Sequence, residues 1–226
     1  MKTDDAAPRT GRRGPPLLRL IRPALLPVAR AALGDRFSDA ETRAVVNDAF
    51  ADYERARESL PPEEQVGPRL MVHLAALTAG FYRALVSRGL EPAEARRRTG
   101  RVTAAVYERM GEVPWALSRL GGKEPRVRLE VATDLFRRFP FSAPGYEMVD
   151  VPAGADVVAF DVRRCPVAEH LRGEGLGELC LETWCNLDFA LAERWGSRLE
   201  RSETLAEGAD RCDFRWRVER EGGGPE

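Results

Sequence analysis

Residues 155–170, "ADVVAFDVRRCPVAEH", decide the fold, because the chain changes its grammar there. Val158, Phe160 and Val162 alternate with their neighbours in a β-branched run, the period of a strand with one buried face. Pro166 then favours the first position of a helix, so a short helix follows at once. Cys165 falls between the two as the expected cap residue. A thiol there faces unpaired backbone N–H groups and the positive end of a helix, which predicts a lowered pKa. A strand-end cysteine with no role is the plainer alternative.

Upstream the pattern is helical. Segment 38–60 opens with Ser38 and Glu41 in capping-box spacing and keeps Val45, Val46, Ala49, Phe50 and Tyr53 on one face. Segment 68–90 carries a stripe through Leu70, Leu74, Leu77, Phe81 and Leu85, with Gly89 as its stop. Residues 91–122 and 127–141 predict two more helices. Downstream, "GELCLETWCNLDFALAERWG" (177–196) predicts a longer helix ending at Gly196. Two strands close the chain, 198–205 and 210–219, with Cys212, Phe214, Trp216 and Val218 on one face of the last. The fold class is therefore α+β: a helical N-terminal half, and a C-terminal half of short antiparallel strands packed with two helices. The organisation reads as a disordered lead over 1–16, a helical region over 17–140, a cysteine-bearing α+β region over 141–220 in one integrated domain, and a flexible tail over 221–226.

Bulk properties narrow the function. The 226 residues are 43% hydrophobic and 31% charged, a globular composition long enough for a sizeable core. Thirty-five basic and 36 acidic residues nearly cancel, so no global charge recruits nucleic acid. Arginines at 19, 22 and 30 interrupt the early apolar run, which excludes a membrane span and a signal peptide and predicts a cytoplasmic protein. Its four cysteines are then expected reduced. No C-x-x-C pair supports structural zinc, and two histidines cannot make a three-histidine metal site.

The chemistry concentrates in "LCLETWCNLDFAL" (179–191). On a helix Cys185 and Asp188 are three apart and share a face. Cys180 lies about 140° around the 3.6-residue period from Cys185, which predicts core for Cys180. A small buried hydrophobe is the bland reading of Cys185 itself. Cys212 reads as core unless its strand face looks at the Cys185 helix. His73 interrupts an apolar stripe and reads as a satisfied core histidine, with a general acid/base role as the lesser alternative. His170 stands in the short helix begun by Cys165, and Arg211, like Arg163 and Arg164, flanks a cysteine and offers a partner for a substrate carboxylate.

"FDVRRCP", "GELCLETWCNLDFA" and "LERSETLAEGADRCDFRW", in that order, resemble the bacterial L-2-amino-thiazoline-4-carboxylic acid hydrolase family over roughly residues 155–218. The resemblance implies small-molecule metabolism: hydrolytic opening of a thiazoline ring to N-carbamoyl-cysteine, or kindred chemistry at a C–N or C–S centre. It implies Cys185, Asp188, Cys165 and Cys212 as catalytic residues; His170 and Arg211, by their positions near these, are the substrate-binding candidates. No cofactor is predicted. Two alternatives stay open. The C-x-x-D element with a distant cysteine also looks like the organomercurial lyase arrangement, in which Cys185, Cys212 and Cys165 would hold a soft or transition metal ion. The chain could instead be a non-catalytic interaction protein, and a homo-oligomer is compatible with the sequence.

Overall fold

The computed structural model describes residues 16–219. The expected lead (but for Pro16) and the expected tail lie outside those residues. Five helices come first: α1 (Pro16–Leu33), α2 (Asp39–Ala56), α3 (Val66–Val86), α4 (Pro92–Leu117) and α5 (Pro125–Arg138). The capping box of α2 forms as read: Ser38 Oγ accepts from Glu41 N at 3.3 Å, and Glu41 Oε2 accepts from Ser38 N at 2.8 Å. Helix α3 is the most enclosed, buried along nearly its whole length between its neighbours. Among the described residues no helix is long and apolar enough to cross a membrane.

The second half follows as β1 (Glu147–Asp150), β2 (Val157–Arg164), α6 (Pro166–Gly173), α7 (Gly177–Cys180), a π turn (Leu181–Cys185), α8 (Leu187–Arg194), β3 (Ser197–Glu200) and β4 (Cys212–Val218). The strands form one antiparallel sheet in the order β1-β2-β4-β3. The fold is α+β.

The register explains the sheet's inner face. Val158 opposes Trp216, Phe160 opposes Phe214, and Val162 opposes Cys212. The alternation read from the sequence thus pairs two apolar rows side by side. The rings of Phe160 and Phe214 stack at 5.2 Å, and Trp216 stacks on Trp195 at 5.6 Å. Burying one such side chain contributes about 1.5–3 kcal/mol. This row, more than the four-residue edge strands, anchors the C-terminal half to the helices.

Helices α4 and α8 come close at Gly111. A Cβ there would meet Leu191 Cδ1 at 2.3 Å, and Trp195 Nε1 donates to Gly111 O at 3.2 Å. The small residue leaves room for the Leu191 side chain, and the approach brings α8 to the side chains of α4.

Two expected elements differ. The predicted helix over 177–196 is broken by the π turn, where Asn186 N bonds Leu181 O, five residues back, at 2.9 Å. The predicted strand over 198–205 ends at Glu200, because Asp213 Oδ1 accepts from Ser202 N and Glu203 N, at 2.9 and 2.6 Å, and bends the chain away.

Candidate functional site

A cavity of about 100 Å³ lies between the inner face of the sheet and helices α4, α5 and α8. All four cysteines line it, with Asp188, Tyr107 and Arg201 among a mainly apolar wall. The cysteines are free thiols.

The π turn is why Cys180 is present. An α-helix would set Cys180 about 140° from Cys185, but i→i+5 bonding stacks residues five apart. Cys180 therefore hydrogen-bonds Cys185 and lines the same cavity while remaining fully buried. Cys180 is core, as read; its exclusion from the site is corrected.

Cys185 stands among donors. The hydrogen bond from Cys180 holds its thiol below the ordinary range, against the cost of burial, and Thr204 and Arg201 add to that pull. Thr204 Oγ1 donates to Cys185 Sγ at 3.6 Å and accepts from the Cys212 thiol at 3.5 Å. Leu205 N reaches Cys212 Sγ at 3.2 Å. A chain of polar hydrogens thus runs from Cys212 through Thr204 to Cys185. Burial raises the pKa of Cys212, so the far end of that chain keeps its proton.

Asp188 is buried on α8, where burial raises its pKa to about 6 against the opposing pull of Arg201 and Tyr107. The Tyr107 hydroxyl donates to Asp188 Oδ1. Arg201 Nη1 donates to Asp188 Oδ2 at 3.3 Å and to the Cys185 carbonyl at 2.7 Å, while Nη2 donates to Asn186 Oδ1 at 3.3 Å. Its side chain is 4% exposed and its guanidinium lies over the rings of Phe189 and Phe214. Arg201 therefore pins both ends of the C-x-x-D element.

Cys165 caps α6, accepting from Ala168 N at 3.5 Å as the Cys-Pro pattern predicts. The expected lowered pKa is overturned. Desolvation raises it instead, outweighing the backbone hydrogen bonds of the cap. Tyr146 Oη sits beside this thiol without a hydrogen bond of good geometry.

A family model described as L-2-amino-thiazoline-4-carboxylic acid hydrolase matches residues 71–216. The chain belongs to that hydrolase family. The match starts at Met71 and ends at Trp216, which are also the first and last residues of the cavity lining. No curated protein matches the chain significantly.

Within this member of the L-2-amino-thiazoline-4-carboxylic acid hydrolase family, Cys165, Cys185, Asp188 and Cys212 meet at one cavity, and His170 and Arg211 do not. His170 Nε2 faces Glu174 Oε1 at 3.6 Å, and burial lowers its pKa. Arg211 is half exposed and bound to Glu203 at 2.8 Å and Asp161 at 3.6 Å. Arg164 is taken by Glu63 at 2.7 Å and Glu169 at 3.1 Å. His73 is the satisfied core histidine expected: its Nδ1 shares a 2.9 Å hydrogen bond with Tyr53 Oη, and burial lowers its pKa to about 4.

Tyr107, Arg201 and Thr204 escaped the sequence reading. Arg201 and Thr204 stand in "LERSETL", a segment read there as plain strand. Tyr107 reaches Asp188 from 81 residues away. Among the described residues no three His, Cys, Asp or Glu side chains gather closely enough to hold a metal ion.

Proposed function

We propose that this cavity is the active site of a hydrolase that opens a small ring at an amidine-like carbon, with Cys185 as nucleophile and Asp188 as proton shuttle. The observation that carries the reading is the Cys185 thiol itself. It lines the cavity, and Cys180, Thr204 and Arg201 draw its pKa below the ordinary thiol range against burial and the charge of Asp188. The family supplies the reaction class.

For a protonated 2-aminothiazoline the steps balance with one water. The Cys185 thiolate bonds to the carbon between ring nitrogen and ring sulfur. The bond from that carbon to the ring sulfur then breaks, and Asp188 relays a proton from nitrogen to the departing sulfur. Water adds to the resulting isothiourea, Asp188 passes its proton to nitrogen, and the Cys185 thiolate is expelled. The product is a urea carrying a free thiol, and one proton goes to solvent. Tyr107 and Arg201 hold Asp188 in place, and the Cys212–Thr204 chain steadies the thiolate as it forms and leaves.

The competing metal reading is weaker, because among the described residues no three His, Cys, Asp or Glu side chains gather closely enough to hold a metal ion. The test uses reduced protein and 2-amino-2-thiazoline, which presents only the reacting ring. Mass spectrometry should show its conversion to the thiol-bearing urea, with a covalent adduct on Cys185. Unimpaired turnover by Cys185→Ser protein would sink the nucleophile assignment.

A further inference from the structure

The cavity wall holds two arginines, and both are engaged. Arg137 Nη1 pairs with Asp150 Oδ1 at 2.7 Å, and its guanidinium lies over the Phe160 ring at 4.8 Å. Arg201 is committed to Asp188, Asn186 and the Cys185 carbonyl. Asp188, when ionised, offsets the charge of Arg201, and Asp150 offsets that of Arg137. A substrate carboxylate would add a further negative charge among aromatic side chains, where each arginine already has a carboxylate partner. Such a transfer out of water is strongly unfavourable.

The same wall carries neutral donors with nothing to donate to. Tyr146 Oη, Trp184 Nε1 and Trp216 Nε1 have no hydrogen-bond partner, and all three residues are buried and line the cavity. Trp184 also borders a second, smaller cavity with Ile21 and Leu25, which leaves Tyr146 and Trp216 as the donors particular to this one. Buried donors are nearly always paired, so orphans around one cavity point to an acceptor that arrives with the ligand. Neutral donors in an apolar wall suit a neutral acceptor such as a carbonyl oxygen.

We infer that this cavity takes a ring bearing an uncharged carbonyl group where the compound that names the family bears its carboxylate, with Tyr146 and Trp216 as the residues that bind that carbonyl. The inference rests on the hydrolase reading above and narrows its substrate class. The amidine end, which can carry a proton, then faces the negative charges of Cys185 and Asp188, and the uncharged end faces the apolar wall.

The experiment compares 2-amino-2-thiazoline-4-carboxylate with its N-methylcarboxamide. Calorimetry on Cys185→Ala protein should show the amide binding at least tenfold more tightly. That variant lacks the thiolate, so the comparison leans against the inference. In wild-type protein kcat/KM should favour the amide by a similar factor. Tyr146→Phe removes only the hydroxyl, and Trp216→Phe removes the indole N–H with part of its ring; each should weaken amide binding three- to tenfold, and Tyr146→Phe should leave carboxylate binding unchanged. Equal or tighter binding of the carboxylate, above all if lost in Arg137→Gln, overturns the inference. So does amide binding that neither donor substitution alters. If the amide is preferred in binding but wild-type protein opens neither ring, the hydrolase reading falls and the preference stands.

Discussion

The junction of β2 with α6 and the π turn between α7 and α8 each bring a cysteine to the same cavity, and they treat it in opposite ways. At the junction, Cys165 has what is held to activate a thiol: a cap position and a backbone N–H at 3.5 Å. Burial still drives its pKa upward. At the π turn, Cys185 stands one residue before Asn186, the cap position of α8, and side chains on several sides favour its thiolate. Proximity to a helix end is thus a weak lever in a desolvated pocket. Directed hydrogen bonds from Cys180 and Thr204, with the charge of Arg201, decide the outcome.

The sharpest way to break this contrast is to remove each thiol in turn. Cys185→Ala should cost turnover roughly 10⁴-fold, the scale of losing a covalent nucleophile. Cys165→Ala should keep rates within an order of magnitude while losing about 1 kcal/mol with its cap. Steady-state rates and urea melts read the two effects separately. Equal losses of rate from the two substitutions would erase the distinction between the regions.

Asp188 extends the contrast to a carboxylate. Asp188→Asn should slow turnover about 10²–10⁴-fold. In the wild type the rate should rise with pH through about 6, and that limb should vanish in the variant. Stability should move the other way. A carboxyl whose folded pKa is raised contributes stability that is complete below the ordinary carboxylate range and lost as pH climbs through about 6. Denaturation midpoints between pH 4 and 7 should therefore decline in the wild type more steeply than in Asp188→Asn.

A smaller effect is expected from Tyr107→Phe. The Tyr107 hydrogen bond lowers the Asp188 pKa, so its loss should move the pH limb upward and cost about 1–3 kcal/mol for a buried acceptor left short of a donor. The smallest belongs to Arg211, whose exposed pairs are worth about 0–1 kcal/mol. Arg211→Ala should leave KM unchanged, and a raised KM would return it to the site.

How much of this was legible followed from the range of each interaction. The β4 face of Cys212, Phe214 and Trp216, the α2 cap and the Cys165 cap are local patterns, and the sequence displayed them. The C-x-x-D pair was visible for the same reason, since three residues span less than one helical turn. Cys180 was rightly placed in the core, but its contact with the cavity stayed hidden because the 3.6-residue period holds only while the bonding stays i→i+4, and no residue in "LETWC" announces a change. Tyr107 and Arg201 were hidden by distance, for both meet Asp188 through the packing of separate elements. The pKa of Cys165 was misjudged because cap geometry can be read from two residues, whereas desolvation belongs to the whole enclosure.

The π turn also makes the site sensitive to arithmetic. The turn holds one residue more than an α-helical turn would, so a change of 181–185 to i→i+4 bonding with no residue removed would rotate everything after it by roughly 100°. Asp188 would then leave the reach of Tyr107 with no side chain changed. Here the bonding pattern between Cys180 and Asp188 is itself a functional element, as specific as the thiol or the carboxylate it brings into phase.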